Sequence, residues 1–301
     1  MKIVLAARLS LVGLFYLLSS PLVASVTLVD DYMQRSGLAE QLALIEGKML
    51  RKVEEARSEP QAQTPRLTDD QMERLRSAVK VAFAADPLRL ALRSHLDTLL
   101  PDGDAELFLK WLDTPFGKRV TAIEVAGSSQ EEPRRAAESA PQTLAGLPLA
   151  RKANLERILK ASGVEDRTAT MELHVTHTMA LAAGMSVPDI PPAYAAQDIL
   201  KNPNQDRLEP LRRQIAIALA PQALAYIAAV YAPLSDDELR DYATVLEQSS
   251  RRRVIEATNV AFDRALSAAA LEVGRRVGQS AKAAARIDGK KPATARIDGK
   301  N

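Results

Sequence analysis

The side chains best suited to chemistry lie between residues 171 and 185. Met171, Glu172, His174, His177, Met179 and Met185 mix thioether, carboxylate and imidazole donors, a set that suits copper or a related transition ion. A spacing of three puts His174 and His177 on neighbouring helical turns. An internal repeat, set out below, argues against a shared site. It aligns Met171 and Met179 with Ile45 and Val53 on an apolar stripe, and His174 and His177 with Lys48 and Arg51 on the solvent side. At about 100° per residue His177 then points about 120° away from Met171. No metal ligand is assigned, and His174 and His177 stand as the pair to test.

Other chemistries find less. There is no Cys, no Gly-x-Ser-x-Gly, no His-Glu-x-x-His and no phosphate-binding Gly-rich loop, so neither catalytic nor cofactor-binding residues are assigned and no cofactor is expected. His95 is the third and last histidine. It sits among Leu88, Leu92, Leu96 and Leu99, and reads as a partly buried polar residue rather than a base. Asp69-Asp70 and Asp236-Asp237 resemble acid–base pairs, but each opens a helix, where the dipole favours negative charge. Arg253, Arg264 and Arg275 recur every eleven residues. Asp241, Glu247, Glu256, Asp263 and Glu272 are interspersed with them, which describes a solvated, ion-paired face rather than an anion track.

These residues are carried by a chain of 301 with 40 basic and 38 acidic side chains, a balance that gives no concentrated basic face for nucleic acid. Aromatic residues make up 4%, which speaks against a stacking cleft for bases or sugars. Residues 1–25 read as an export signal. Lys2 and Arg8 precede an apolar run over Leu9–Leu18, and Leu22-Val23-Ala24-Ser25 supplies small residues for cleavage. Ten apolar residues are too few to span a bilayer, which takes about 20. No Cys follows the cleavage region, so lipid attachment is not expected. A soluble periplasmic or secreted protein is expected, with no transmembrane segment after the signal is removed and no disulfides.

Helical periodicity runs throughout. Leu75, Ala78, Val79, Ala82 and Phe83 follow the i, i+3, i+4, i+7, i+8 pattern. Thr68-Asp-Asp-Gln71 and Ser235-Asp-Asp-Glu238 are capping boxes. Pro87 and Pro221 are expected at first helical positions. With no sustained period-2 alternation, the fold class is all-α, with helices expected over 27–36, 38–56, 69–84, 87–99 and 104–125, the last interrupted at Thr114-Pro115-Phe116-Gly117. A helix over 236–277 would be about 63 Å long, so a break is expected near Ser249-Ser250.

The order of elements repeats. Val29–Leu38 aligns with Leu155–Val164 at an offset of 126, sharing Ser36-Gly37 and Ser162-Gly163. Leu38, Leu42, Ile45, Met49 and Val53 continue onto Val164, Thr168, Met171, Val175 and Met179. Leu75, Val79 and Phe83 meet Leu211, Ile215 and Leu219 at 136. Phe108, Leu112 and Val120 meet Tyr242, Leu246 and Val254 at 134. The second copy thus gains about ten residues between its second and third helices and loses two before the last. The expected organisation is a signal over 1–25, helical repeat 1 over 26–127, a linker over 128–150, helical repeat 2 over 151–279, and a disordered basic tail over 280–301. In that tail, Ala-Arg-Ile-Asp-Gly-Lys occurs twice.

The segment Glu106-Leu-Phe-Leu-Lys-Trp-Leu-Asp-Thr-Pro-Phe-Gly-Lys-Arg-Val120 resembles the helical bacterial exported proteins grouped as domain of unknown function 2059. That family pairs an acidic-Leu start and an aromatic with Ser/Thr-Pro-x-Gly. Asp237–Arg251 is similar to a decayed second version, keeping Tyr242 and Ser249 but lacking the Pro and Gly. The resemblance implies an all-helical exported protein and assigns no activity. The function expected is a non-enzymatic binding or interaction module, presenting a groove between its two copies to a protein, peptide or lipid, with a homodimer as one possible state. The competing readings are a carboxylate-dependent hydrolase of the envelope and a metal-binding protein.

Overall fold

A computed structural model describes residues 27–58, 68–165, 168–169 and 209–287. All regular structure among them is helical, with no strand, so the all-α class holds. Residues 1–26, which include the expected signal, His174, His177 and residues 288–301 lie outside the described residues.

The first half comprises α1 (Leu28–Arg35), α2 (Leu38–Ala43), α3 (Ile45–Ser58), α4 (Asp69–Ala82), α5 (Ala85–Leu99), α6 (Asp102–Leu112) and α7 (Pro115–Ser129). Then come α8 (Glu131–Glu138), α9 (Ala140–Ala145), α10 (Leu149–Ser162), α11 (Glu209–Val230), α12 (Asp236–Leu246) and α13 (Ser249–Ile287). Local chemistry sets most of these boundaries. Both capping boxes form, the Thr68 and Ser235 hydroxyls accepting from the Gln71 and Glu238 amides. Gly37 and Gly163 each end a helix in the left-handed region, at φ 72° and 61°, where a side chain would be strained.

Several boundaries differ from expectation. Pro87 is the third residue of α5 rather than its first, and Pro221 lies inside α11. In the first half the chain turns at Phe83-Ala84 between α4 and α5, whereas the helix around Pro221 continues unbroken over Glu209–Val230. The segment 128–150 is mostly helical, α8 and α9 both packing on α11. The long final helix breaks at Glu247-Gln248, next to the expected place. It then runs to Ile287, past the expected boundary at 280.

Two apolar cores result, and their membership crosses the chain. One gathers Tyr32, Met33, Leu42, Val79, Phe83, Leu92 and Leu96 from α1–α5 around Val254, Ala261, Leu266, Ala270 and Val273 of α13. The other gathers Leu155, Ile158, Leu224, Ile227, Leu239 and Leu246 from α10–α12 around Val120 of α7, with Phe116 and Ile123 packed against it. Each half therefore receives the last helix of the other. Val120 and Val254, aligned in sequence, are 1% and 0% exposed in opposite cores.

Candidate functional site

The two halves meet along a seam at which Trp111 of α6 and Glu124 of α7 face Tyr231 and Tyr242. Thr114, Pro115 and Gly117 build one side of it. The Thr114 hydroxyl caps α7 by accepting from the Gly117 amide, and Pro115 takes the first helical position, where its missing N–H costs nothing. A Cβ at 117 would overlap the Trp111 carbonyl oxygen and lie 2.9 Å from Leu112 Cα, so only glycine lets α7 turn this closely off α6. That close turn presents Trp111 to the second half. Its ring stacks on Tyr242 at 5.8 Å and 7°, and the aromatic run continues through Phe108 and Tyr32 on one side and Tyr231 on the other.

Glu124 of α7 is the polar centre of the seam. Its carboxylate accepts from the Tyr242 hydroxyl at 2.6 Å and the Tyr231 hydroxyl at 2.7 Å. Burial, with the Glu124 charge beside it, pushes the Tyr242 phenol well above its ordinary range, so it stays a donor. The aligned position on α13 is Thr258, which bonds the Tyr32 hydroxyl at 2.8 Å inside the other core. Ion pairs repeat the same relation. Arg119 of α7 holds Glu238 of α12, and Arg253 of α13 holds Asp104 of α6 at 2.6 Å, both partners standing 134 residues apart. Asp113 and Glu247, in the two matching turns, are held by Arg35 of α1 and Arg157 of α10.

The correspondence also fails near the start of each helix. Where α7 has Gly117, α13 has Arg251, 6% exposed, its guanidinium 4.6 Å above the Phe108 ring and donating to the Leu107 carbonyl at 2.8 Å. Its Nε and Nη1 are buried without a partner. Desolvation lowers its pKa, offset in part by Asp104.

A comparison with protein-family models, curated proteins and solved structures returns no match. The chemistry of the seam is therefore read from its own residues. A general acid needs a carboxyl raised toward neutrality. The displaced carboxylates, Asp30, Asp104, Glu131, Glu238, Glu247 and Glu272, all move down. Hydrogen bonds from Arg253, Arg134, Arg157 and Arg275 lead for four of them, the Thr27 hydroxyl for Asp30, and the Ser235 amide for Glu238. Such bonds tie α1 to α5, α6 to α13 and α10 to the turn after α12. Stacked rings pack within the seam.

The metal reading gains nothing here. Among the described residues no group of three His, Asp or Glu could hold an ion, and His174 and His177 lie outside them. His95 is half-buried on α5, as its leucine neighbours imply. Burial and the nearby Arg264 charge hold its imidazole below the usual range. Its unfolded form protonates near pH 6.5 while the folded form resists, so its contribution is present above about 6.5 and is lost as pH falls through that value. The urea midpoint is expected to drop between pH 7.5 and 5.5, and to drop less in His95→Gln. An equal drop in both chains would remove His95 from the account.

Sequence reasoning missed Glu124, Tyr231 and Arg251. A signal was present in the repeat alignment, where Glu124 faces Thr258 and Gly117 faces Arg251, two places at which the copies differ in charge.

One membrane-length segment also escaped the sequence reading. Arg213–Val230 of α11 is long and apolar enough to cross a bilayer by length and composition, a test that buried core helices also pass. Its C-terminal part, Leu224 to Val230, lies in the second core, and Arg151 of α10 donates to the Tyr231 and Leu234 carbonyls just beyond. That is the environment of a core helix. Its N-terminal part is different: Ile217 is 69% exposed and only a third of the segment is buried.

Proposed function

We propose that this is an exported, non-enzymatic interaction module that engages an apolar segment of a protein, a peptide or a lipid through the outward N-terminal part of α11. One observation carries the reading. Ala218 is exposed and Ile215 and Leu219 are half-buried, whereas their aligned residues Ala82, Val79 and Phe83 in the first half are 6%, 0% and 0% exposed. A stripe that serves as core in one copy is therefore open in the other, beside the exposed Ile217. Exposed contiguous apolar surface on a soluble chain is the ordinary mark of a binding face.

The duplication and the export route belong to the same proposal. Supporting a duplication, α6 and α12 span 102–112 and 236–246, α7 and α13 start at 115 and 249, and the left-handed glycines fall at 37 and 163. Supporting membership in the exported helical family, Thr114-Pro115-Phe116-Gly117 has a defined task as cap, helix start and close approach. Export to the periplasm rests on residues 1–25 and is read by N-terminal sequencing of protein from its native envelope, which should begin near residue 25; a start before residue 20 would overturn it.

The binding face has its own test. A photo-crosslinking amino acid at position 217, in cells, should give discrete adducts that are missing from a control at the partly exposed, charged position Lys152. Ile217→Asp combined with a crosslinker at the neighbouring Gln214 should lose those adducts. If position 217 yields no more adduct than position 152, α11 is not the face.

A further inference from the structure

The two turns that launch the exchanged helices are built differently, and only one is locked. At the first, Asp113 is helical at φ −75°, ψ −16°, and Thr114 swings out to ψ 154°. Pro115 enforces this, because the residue before a proline is driven from the helical region. Gly117 completes the lock by its contact with Trp111. At the second, Glu247 is equally helical at φ −74°, ψ −12°, but Gln248, Ser249 and Arg251 stand where Thr114, Pro115 and Gly117 stood. Nothing covalent there opposes a helix. The Gln248 carbonyl already accepts the first bond of α13 from Arg252, and the Gln248 amide reaches Val245 in a tighter bond of 3.3 Å. The break spans only Glu247 and Gln248.

We propose that Gln248 is a swap hinge through which α13 is exchanged with a second copy of this chain. Rotating Gln248 into the helical region joins α12 and α13 into one helix over 236–287, about 78 Å long. That movement withdraws Val254, Ala261, Leu266 and Val273 from the first core. The cleft they vacate on α4, α5 and α6 is self-complementary to the same helix of another molecule, which enters as this α13 leaves. Every α13 contact with the first half is remade across the dimer. The difference between the two states is one turn exchanged for continuous helix, plus the entropy of association, so concentration sets the balance. Little else tethers α13 to its own half, since it packs chiefly along α4, α5 and α6 and only lightly on α10 and α12.

The test uses the absence of cysteine from the chain. Asp104→Cys and Arg253→Cys place thiols on either side of the α6–α13 contact, within reach of a short bis-maleimide. A chain carrying both should cross-link within one molecule when dilute, which establishes that it is folded. Two chains carrying one each, expressed with the leader, purified, mixed at high concentration and incubated in mild urea, should give a covalent heterodimer. The pair Gln248→Thr with Ser249→Pro, which installs the first turn's lock, should reduce that heterodimer at least tenfold, and Gln248→Ala should increase it. The proposal is overturned if the mixture stays monomeric while the doubly labelled chain closes on itself. It is equally overturned if the locked chain, folded by circular dichroism, gives as much heterodimer as the original.

Discussion

Cutting the chain between α9 and α10, at Gly146-Leu147, is expected to give two fragments that do not fold alone and that recover a cooperative transition when mixed. The reason is the crossed membership of the cores. Residues 26–146 keep α1–α7 but lose the helix that fills their core; residues 147–301 keep α10–α13 but lose Val120, Phe116 and Ile123. Val254, Leu266 and Val273 alone are three fully buried aliphatic side chains, worth about 1.5–3 kcal/mol each. Their sum is comparable with the whole stability of an ordinary domain, about 5–15 kcal/mol. Thermal melts by far-ultraviolet circular dichroism, with size-exclusion chromatography of each fragment and of the mixture, read the outcome. A monomeric fragment 26–146 that melts cooperatively by itself would show that α13 is dispensable to the first half.

The second large effect is expected at Tyr242. Its ring lies 5% exposed between Trp111 and Tyr231, and its hydroxyl donates to Glu124. Tyr242→Ala opens a cavity beside Trp111 and removes one of the two hydroxyls that bond Glu124 Oε1, so a loss of about 3–5 kcal/mol is expected. Tyr242→Phe keeps the ring and removes only a bond to a carboxylate, a loss of about 1.5–3 kcal/mol. Urea titrations at constant m-value separate the two. Alanine no worse than phenylalanine would mean that the stack contributes little and that the carboxylate bond dominates. No loss in either chain would remove the seam from the stability of the fold.

What was legible beforehand in the candidate site divides along the same line. Trp111, Thr114, Pro115 and Gly117 stand out in the sequence because a proline inside a helical pattern announces a break wherever the chain goes next. Glu124 does not stand out. An acid one turn from the end of a helix is ordinary until Tyr231 and Tyr242, more than a hundred residues on, are brought to it. Arg251 is a similar case: among three consecutive arginines, only packing against Phe108 selects the one that is buried. Nor does the outward face of α11 stand out in the sequence, because Ile215 and Leu219 keep the same period as Val79 and Phe83.

By itself the sequence determined the all-α class, both capping boxes, the break before Pro115 and the paired Ser-Gly helix ends. All of these depend on residues within about four positions of one another, where backbone sterics and local hydrogen bonds act before any tertiary contact forms. The tertiary structure decided where α7 and α13 go. An apolar stripe such as Val120-Ile123 or Val254-Ala261 fits either core, so periodicity cannot tell a helix that returns to its own half from one that crosses. Direction is set at the turns, by Gly117 against Trp111 and by Gln248, and by the partners each helix then finds: Glu124 with two tyrosines, and Thr258 with one.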